Sequence, residues 1–123
     1  MRILRWLWPL GVVGFPIPCG CQSKGDFTTG MALLHLFRFT EAEDVYNLLV
    51  ARNPDCAIGY SGIAMSRLQN PLYAVPSTED EYIARQALTS AAGARKAGSL
   101  ERAYLAALDA LFDARSEWHA FSR

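Results

Sequence analysis

From Phe27 onward the apolar positions of this chain recur three and four residues apart. Ala42, Val45, Tyr46, Leu48 and Leu49 form one such stripe, which is the spacing of a helix with one buried face. No stretch alternates apolar and polar residues for long enough to suggest a strand. The punctuation between stripes predicts five helices. The first runs from about Phe27 to Phe37, with Asp26 as its N-cap. The segment "FRFT" is the turn, after which Thr40 caps a second helix and Glu43 completes a capping box. Asn53 then caps a third helix, with Pro54 in its first turn, ending near Leu68. "QNPLYAVPS" carries two prolines and reads as a loop. Thr78 and Glu81 form a second capping box, opening a fourth helix that ends near Ala97. Gly98 stops it, and Ser99 caps a fifth helix from Leu100 to about His119. The expected fold is all-α, built of helix pairs joined by short turns.

Composition narrows this picture. The 123 residues suffice for one domain with a small core. Ala and Leu outweigh Val and Ile, which favours helix. Twelve basic residues balance twelve acidic ones, and no basic cluster is interleaved with aromatics, so a nucleic-acid partner is not expected. Residues 1–21 differ from the rest. Arg2 and Arg5 precede an uncharged apolar stretch from Trp6 to Pro18 and then small residues, which is the layout of a secretory signal peptide. Pro9, Pro16 and Pro18 interrupt the stretch, and it is shorter than the roughly 20 residues of a membrane span. An uncleaved anchor and a misassigned start are the alternatives. "IPCGC" resembles a bacterial lipobox, with Gly20 before a lipid-modified Cys21, although Pro18 stands where Leu is usual. Residues 22–26 then form a polar tether. A disulfide is the alternative for these sulfurs: Cys19 and Cys21 are too close to bridge each other comfortably, leaving Cys56 as the available partner. Cleavage before Cys21 would remove Arg2 and Arg5 and leave ten basic against twelve acidic residues.

Helix pairs at a regular period suggest a repeat array. Gly30 and Leu33, then Ala42, Tyr46 and Pro54, match the G-x2-Y, A-x3-F and terminal P elements of the tetratricopeptide pattern. Tyr60, Ile63 and Ala64 repeat its W-x2-L-G part 34 residues after Asp26, Thr29 and Gly30. Ala84 and Leu88 take the small and large roles in the second unit. In the third unit Ala103, Ala106, Ala107 and Ala110 compete for the small role. The stretch from Gly30 to Ser66 resembles exported bacterial tetratricopeptide-repeat proteins, in which a G-x-A-L-L-H-x-F run precedes a D-P-x-C-A-x-x-Y-x-G-x-A-M run. "ERAYLAAL" is similar to a segment that follows in them, so the resemblance covers about Phe27 to Phe112. It implies an α-solenoid: repeat 1 over 27–54, repeat 2 over 55–98 with an inserted loop, and an incomplete repeat or capping helix over 99–123. The apolar fifth helix suggests a truncated array or a covering partner chain.

The resemblance further implies a non-catalytic scaffold that binds a protein or peptide in the concave groove lined by the first helix of each pair. Met31, Leu34 and His35, with Ser61, Met65 and Leu68, are the expected lining. The bland reading of that stripe is ordinary core. Cys56, in the first turn of the third helix, is either a small packing residue at the joint between repeats or a thiol of lowered pKa. A rival function is a metal- or cofactor-linked periplasmic factor using His35 and Cys56, though two ligands at that spacing do not make a zinc site. The acidic run at 77–81 favours its own helix N-terminus. No phosphate loop, H-E-x-x-H or G-x-S-x-G motif is present, and no cofactor is expected.

Overall fold

The computed structural model describes residues 21–69, 76–95 and 97–121, with side chains described for all of these except 21–23 and 118–121. The expected leader, the Cys21 sulfur and most of the proline-rich loop lie outside the described residues. So do the side chains of Trp118, His119 and Phe121. The described chain is all-helical: α1 Cys21–His35, α2 Phe39–Arg52, α3 Ala57–Leu68, α4 Thr78–Ala92 and α5 Ser99–Phe121. No strand occurs among the described residues.

Packing follows chain order. The extensive contacts join α1 to α2 and α3, α2 to α3, α3 to α4 and α5, and α4 to α5. Helix α3 therefore touches every other helix. Its sequence suits that position: Ala57, Gly59, Ser61, Gly62, Ala64 and Ser66 are all small and all buried. The buried triplet Phe27, Gly30, Leu34 of α1 recurs as Ser61, Ala64, Leu68 in α3 and as Leu105, Leu108, Phe112 in α5. Ala42, Tyr46 and Leu49 of α2 recur likewise as Ala84, Leu88 and Ala91 of α4. In α5 the buried apolar positions are thus held by leucines and Phe112. The four alanines that competed for the small role are all exposed.

Several boundaries differ from the sequence-based expectation, each for a local reason. Helix α1 begins at Cys21, so residues 22–26 are helical and not a tether. Thr28 and Thr29 donate their hydroxyls to the carbonyls of Lys24 and Gly25, four residues back. Asp26 does not cap; its carboxylate accepts from Arg52 at 3.3 Å. Helix α2 starts at Phe39, with no side-chain cap. Glu43 is unavailable to a capping box because Arg67 holds it, donating from Nη2 to Oε1 at 2.7 Å. Asn53 closes α2 instead of opening α3, its N–H bonding the Leu49 carbonyl at 2.9 Å. Cys56 is the N-cap of α3. The capping box of α4 lies one residue earlier than expected: Asp80 N–H donates to Ser77 Oγ, and Ser77 N–H to Asp80 Oδ2, both at 3.1 Å. Helix α4 ends at Ala92, short of Ala97. Leu48, expected in the buried stripe of α2, is 55% exposed.

The α1–α2 turn is a Schellman closure. Arg38 N–H reaches the Leu33 carbonyl and Phe37 N–H that of Leu34. The closing position requires a left-handed backbone, and Phe37 occupies it at φ 58°. For a residue with a Cβ that conformation costs about 1–2 kcal/mol.

Candidate functional site

The joint between α1, α2 and α3 is built around one ring. Tyr46 is fully buried, its ring packed edge-on to Phe27 with centroids 5.9 Å apart. Glycines admit it on two sides. A Cβ on Gly30 would lie 2.5 Å from Tyr46 Cζ, and one on Gly62 would collide with the ring edge. Gly59 does the same for Leu49, whose Cδ2 would lie 2.5 Å from an added Cβ. The Tyr46 hydroxyl is buried with no hydrogen-bond partner among the described residues. Burial pushes it well above the ordinary tyrosine range, and the nearby Tyr104 adds to the effect.

Arg67 fastens the next layer. Besides Glu43 on α2 it donates to Asp80 of α4, from Nη1 to Oδ1 at 3.1 Å. Its Nε lies 2.6 Å from the second Glu43 oxygen, close enough for an ion pair but misaligned for a hydrogen bond. The Glu43 hydrogen bond, ahead of that from Asp80, outweighs burial and holds the guanidinium charged. Burial alone would raise the Asp80 carboxyl; hydrogen bonds from Ser77 and Arg67 prevail and hold it below the usual carboxylate range.

The six expected groove residues do not share one accessible surface. Leu34 and Leu68 are core, and Ser61 is buried, donating to the Ile58 carbonyl at 2.5 Å. Met65 is half-buried beneath α5, its sulfur accepting from the Tyr104 hydroxyl at 2.6 Å. Met31 is half-buried and His35 exposed, with His35 Nδ1 2.7 Å from the Met31 carbonyl. What a partner could reach is therefore the C-terminal end of α1. There Leu36 and the strained Phe37, 64% exposed, extend the surface, with Phe37 edge-on to Phe39 at 6.1 Å. Sequence reasoning passed over Phe37 as part of a turn. Its signal was a bulky residue where a helix-closing glycine is usual.

Cys56 is buried and disulfide-bonded. Its bond partner lies outside the described side chains. That sulfur is committed as a packed disulfide and not as a metal-ligating thiolate, and His35 stands exposed at the far end of its own helix. No group of three or more His, Cys, Asp or Glu is set to hold a metal among the described residues. No described helix is long and apolar enough to cross a membrane. No known protein family, curated protein or solved structure matches the chain.

Proposed function

We propose that this chain is a tetratricopeptide-like helical scaffold that binds a protein or peptide partner and works after export from the cytoplasm, without catalysis. The observation that carries the scaffold reading is the chain-order packing with recurring inward triplets on α1, α3 and α5. Stacked helix pairs present their first helices side by side, and such surfaces bind extended segments. The reachable part of that surface here is Met31, His35, Leu36 and Phe37, so the partner offers apolar side chains. The disulfide at Cys56 supports export, because such bonds persist in oxidising compartments. The leader-like residues 1–21 also support it.

Selection of a phage-displayed random peptide library on the purified chain tests the binding reading. Apolar peptides should be enriched, and their affinity should fall by about tenfold or more in Phe37→Gly or His35→Ala. A library that yields no binder, or binders indifferent to both substitutions, would defeat it.

A further inference from the structure

Helix α5 is rooted in the fold through an acid. Its inner stripe is Glu101, Leu105, Leu108 and Phe112, and all four are buried against α3 and α4. Three of them are ordinary core residues. The fourth carries a carboxyl, is 3% exposed, and keeps one oxygen, Oε2, without a hydrogen-bond partner among the described residues. The carboxyl accepts from the Gly98 N–H. An ionised carboxylate placed there has lost water and gained no counter-ion, so the protonated form is favoured.

The surroundings offer no relief. Arg67 near the end of α3 bonds Asp80 near the start of α4, so the start of α3 and the end of α4 lie together at the opposite end, with the root of α5. From α3, residues 57–64 bring one titratable group to that end, Tyr60, whose hydroxyl donates to the Pro54 carbonyl at 3.0 Å. From α4, residues 86–92 bring none. In the connector Arg95 is exposed, and Lys96 lies outside the described residues. On α5 itself Arg102 donates to the Ala97 carbonyl at 3.3 Å and Tyr104 to the Met65 sulfur at 2.6 Å. Burial raises the Glu101 carboxyl, and the Gly98 N–H offsets only part of that rise.

We propose that the root of α5 is a pH-sensitive clasp, seated while Glu101 is protonated and released as it ionises. Release is local, because the far half of α5 is fastened separately. There Arg85 of α4 donates to Asp113 at 2.7 Å, and Ser116 donates to Glu81. The connector leaves the root free to lift: Gly98, Ser99 and Leu100 are exposed, and nothing lies within 4 Å of a Cβ added to Gly98. Lifting uncovers Ala57, Ala91 and Ala94, which share one apolar cluster with Leu105. The seated chain holds the proton more tightly than the released one. The clasp is therefore fully closed below the ordinary 4.5 and loosens as pH rises through the higher value. An apolar strip is thus withheld in acid and offered near neutrality. This inference does not rest on the peptide-binding reading, and it concerns the opposite end of the molecule from Phe37.

Hydrogen exchange on the full chain, read by mass spectrometry and corrected for intrinsic pH dependence, tests it. The amides of residues 102–105 begin with Arg102 N–H, bonded to the Gly98 carbonyl at 3.0 Å. They should lose protection several-fold between pH 4.5 and neutrality, while the amides of α2 and α3 change little. Glu101→Gln keeps an acceptor for the Gly98 N–H without a charge, and should hold the protection of the root constant. A nuclear magnetic resonance titration of the Glu101 carboxyl needs no variant, and its midpoint should lie above 4.5. Root protection that tracks α2 and α3 at every pH overturns the proposal. So does a loss that survives in Glu101→Gln, or a midpoint at or below the ordinary value.

Discussion

At the joint of α1, α2 and α3, one tyrosine ring lies between two glycines, and the ion pairs Asp26–Arg52 and Glu43–Arg67 also link these helices. At the seam of α4 and α5, buried alanines and leucines pack with Phe112, and Arg85 ties Glu81 to Asp109 and Asp113 across it. Ser116 also donates to Glu81 there. The first joint is specified by shape, which water and salt hardly weaken. The second adds to its apolar contacts a set of charges at half-exposed positions, where solvent screens each pair. One small chain thus carries one joint centred on ring-to-glycine fit and another in which exposed charges take a larger share.

Substitutions can break that contrast, beginning at the glycine-lined joint. Gly62→Ala should cost about 3 kcal/mol by chemical denaturation, because the methyl must displace the Tyr46 ring. Combining it with Tyr46→Leu should recover part of the loss, a coupling absent if the two residues do not touch. Next comes Arg67→Ala, which leaves Glu43 and Asp80 part-buried without their cation, at about 2 kcal/mol. Gly25→Ala runs the other way. Nothing lies within 4 Å of an added Cβ there, so the helix should gain about 0.5–1 kcal/mol. The same glycine-to-alanine change should therefore have opposite signs at Gly62 and Gly25. Arg85→Ala should cost less than about 1 kcal/mol, and the loss should vanish in molar salt. An Arg85→Ala cost that persists in salt would erase the distinction between the two joints.

The smallest effect concerns pH. Glu101 accepts from the Gly98 N–H, yet it is buried and one of its oxygens has no hydrogen-bond partner among the described residues. Desolvation outweighs that hydrogen bond and raises its carboxyl above the ordinary 4.5. The folded state then binds the proton more tightly than the unfolded one. Stability falls as pH rises from 4.5 through the raised value, and the cost is complete beyond it. Asp80 acts with the opposite sign. Its depressed carboxyl contributes fully above the ordinary 3.8, and the contribution is lost as pH falls through the lower folded value. Glu101→Gln should flatten the decline of Tm above pH 4.5 and leave the acid limb unchanged.

Much of the fold was legible because it rests on short-range pattern. The stripe of α2 named Ala42, Tyr46 and Leu49, and the repeat pattern singled out Gly30. Gly62 was not, because a glycine inside a helix pattern looks like a weakness until the ring that needs it is placed. The start of α1 was missed for a related reason. Gly25 and Asp26 resemble punctuation, while the threonine back-bonds that carry the helix through them leave no periodic trace. Capping boxes failed wherever Arg67 or Arg85 had a stronger claim on the glutamate, a competition between distant residues that local spacing cannot express. The exposure of the expected groove residues was only half legible. Periodicity marked one face of each helix, but whether Ser61 or Leu68 meets solvent depends on what a neighbouring helix covers.

The disulfide at Cys56 sets a stoichiometric limit. The chain contains three cysteines, so an internal bond from Cys56 takes up either Cys19 or Cys21 and leaves one thiol. Cleavage before Cys21 discards Cys19, and transfer of a diacylglyceryl group to Cys21 consumes its sulfur as a thioether. A chain processed in that way has no internal partner left for Cys56. Lipid anchor and internal clasp are therefore alternative fates of the same few sulfur atoms, and the intact mass of the chain before and after reduction distinguishes them.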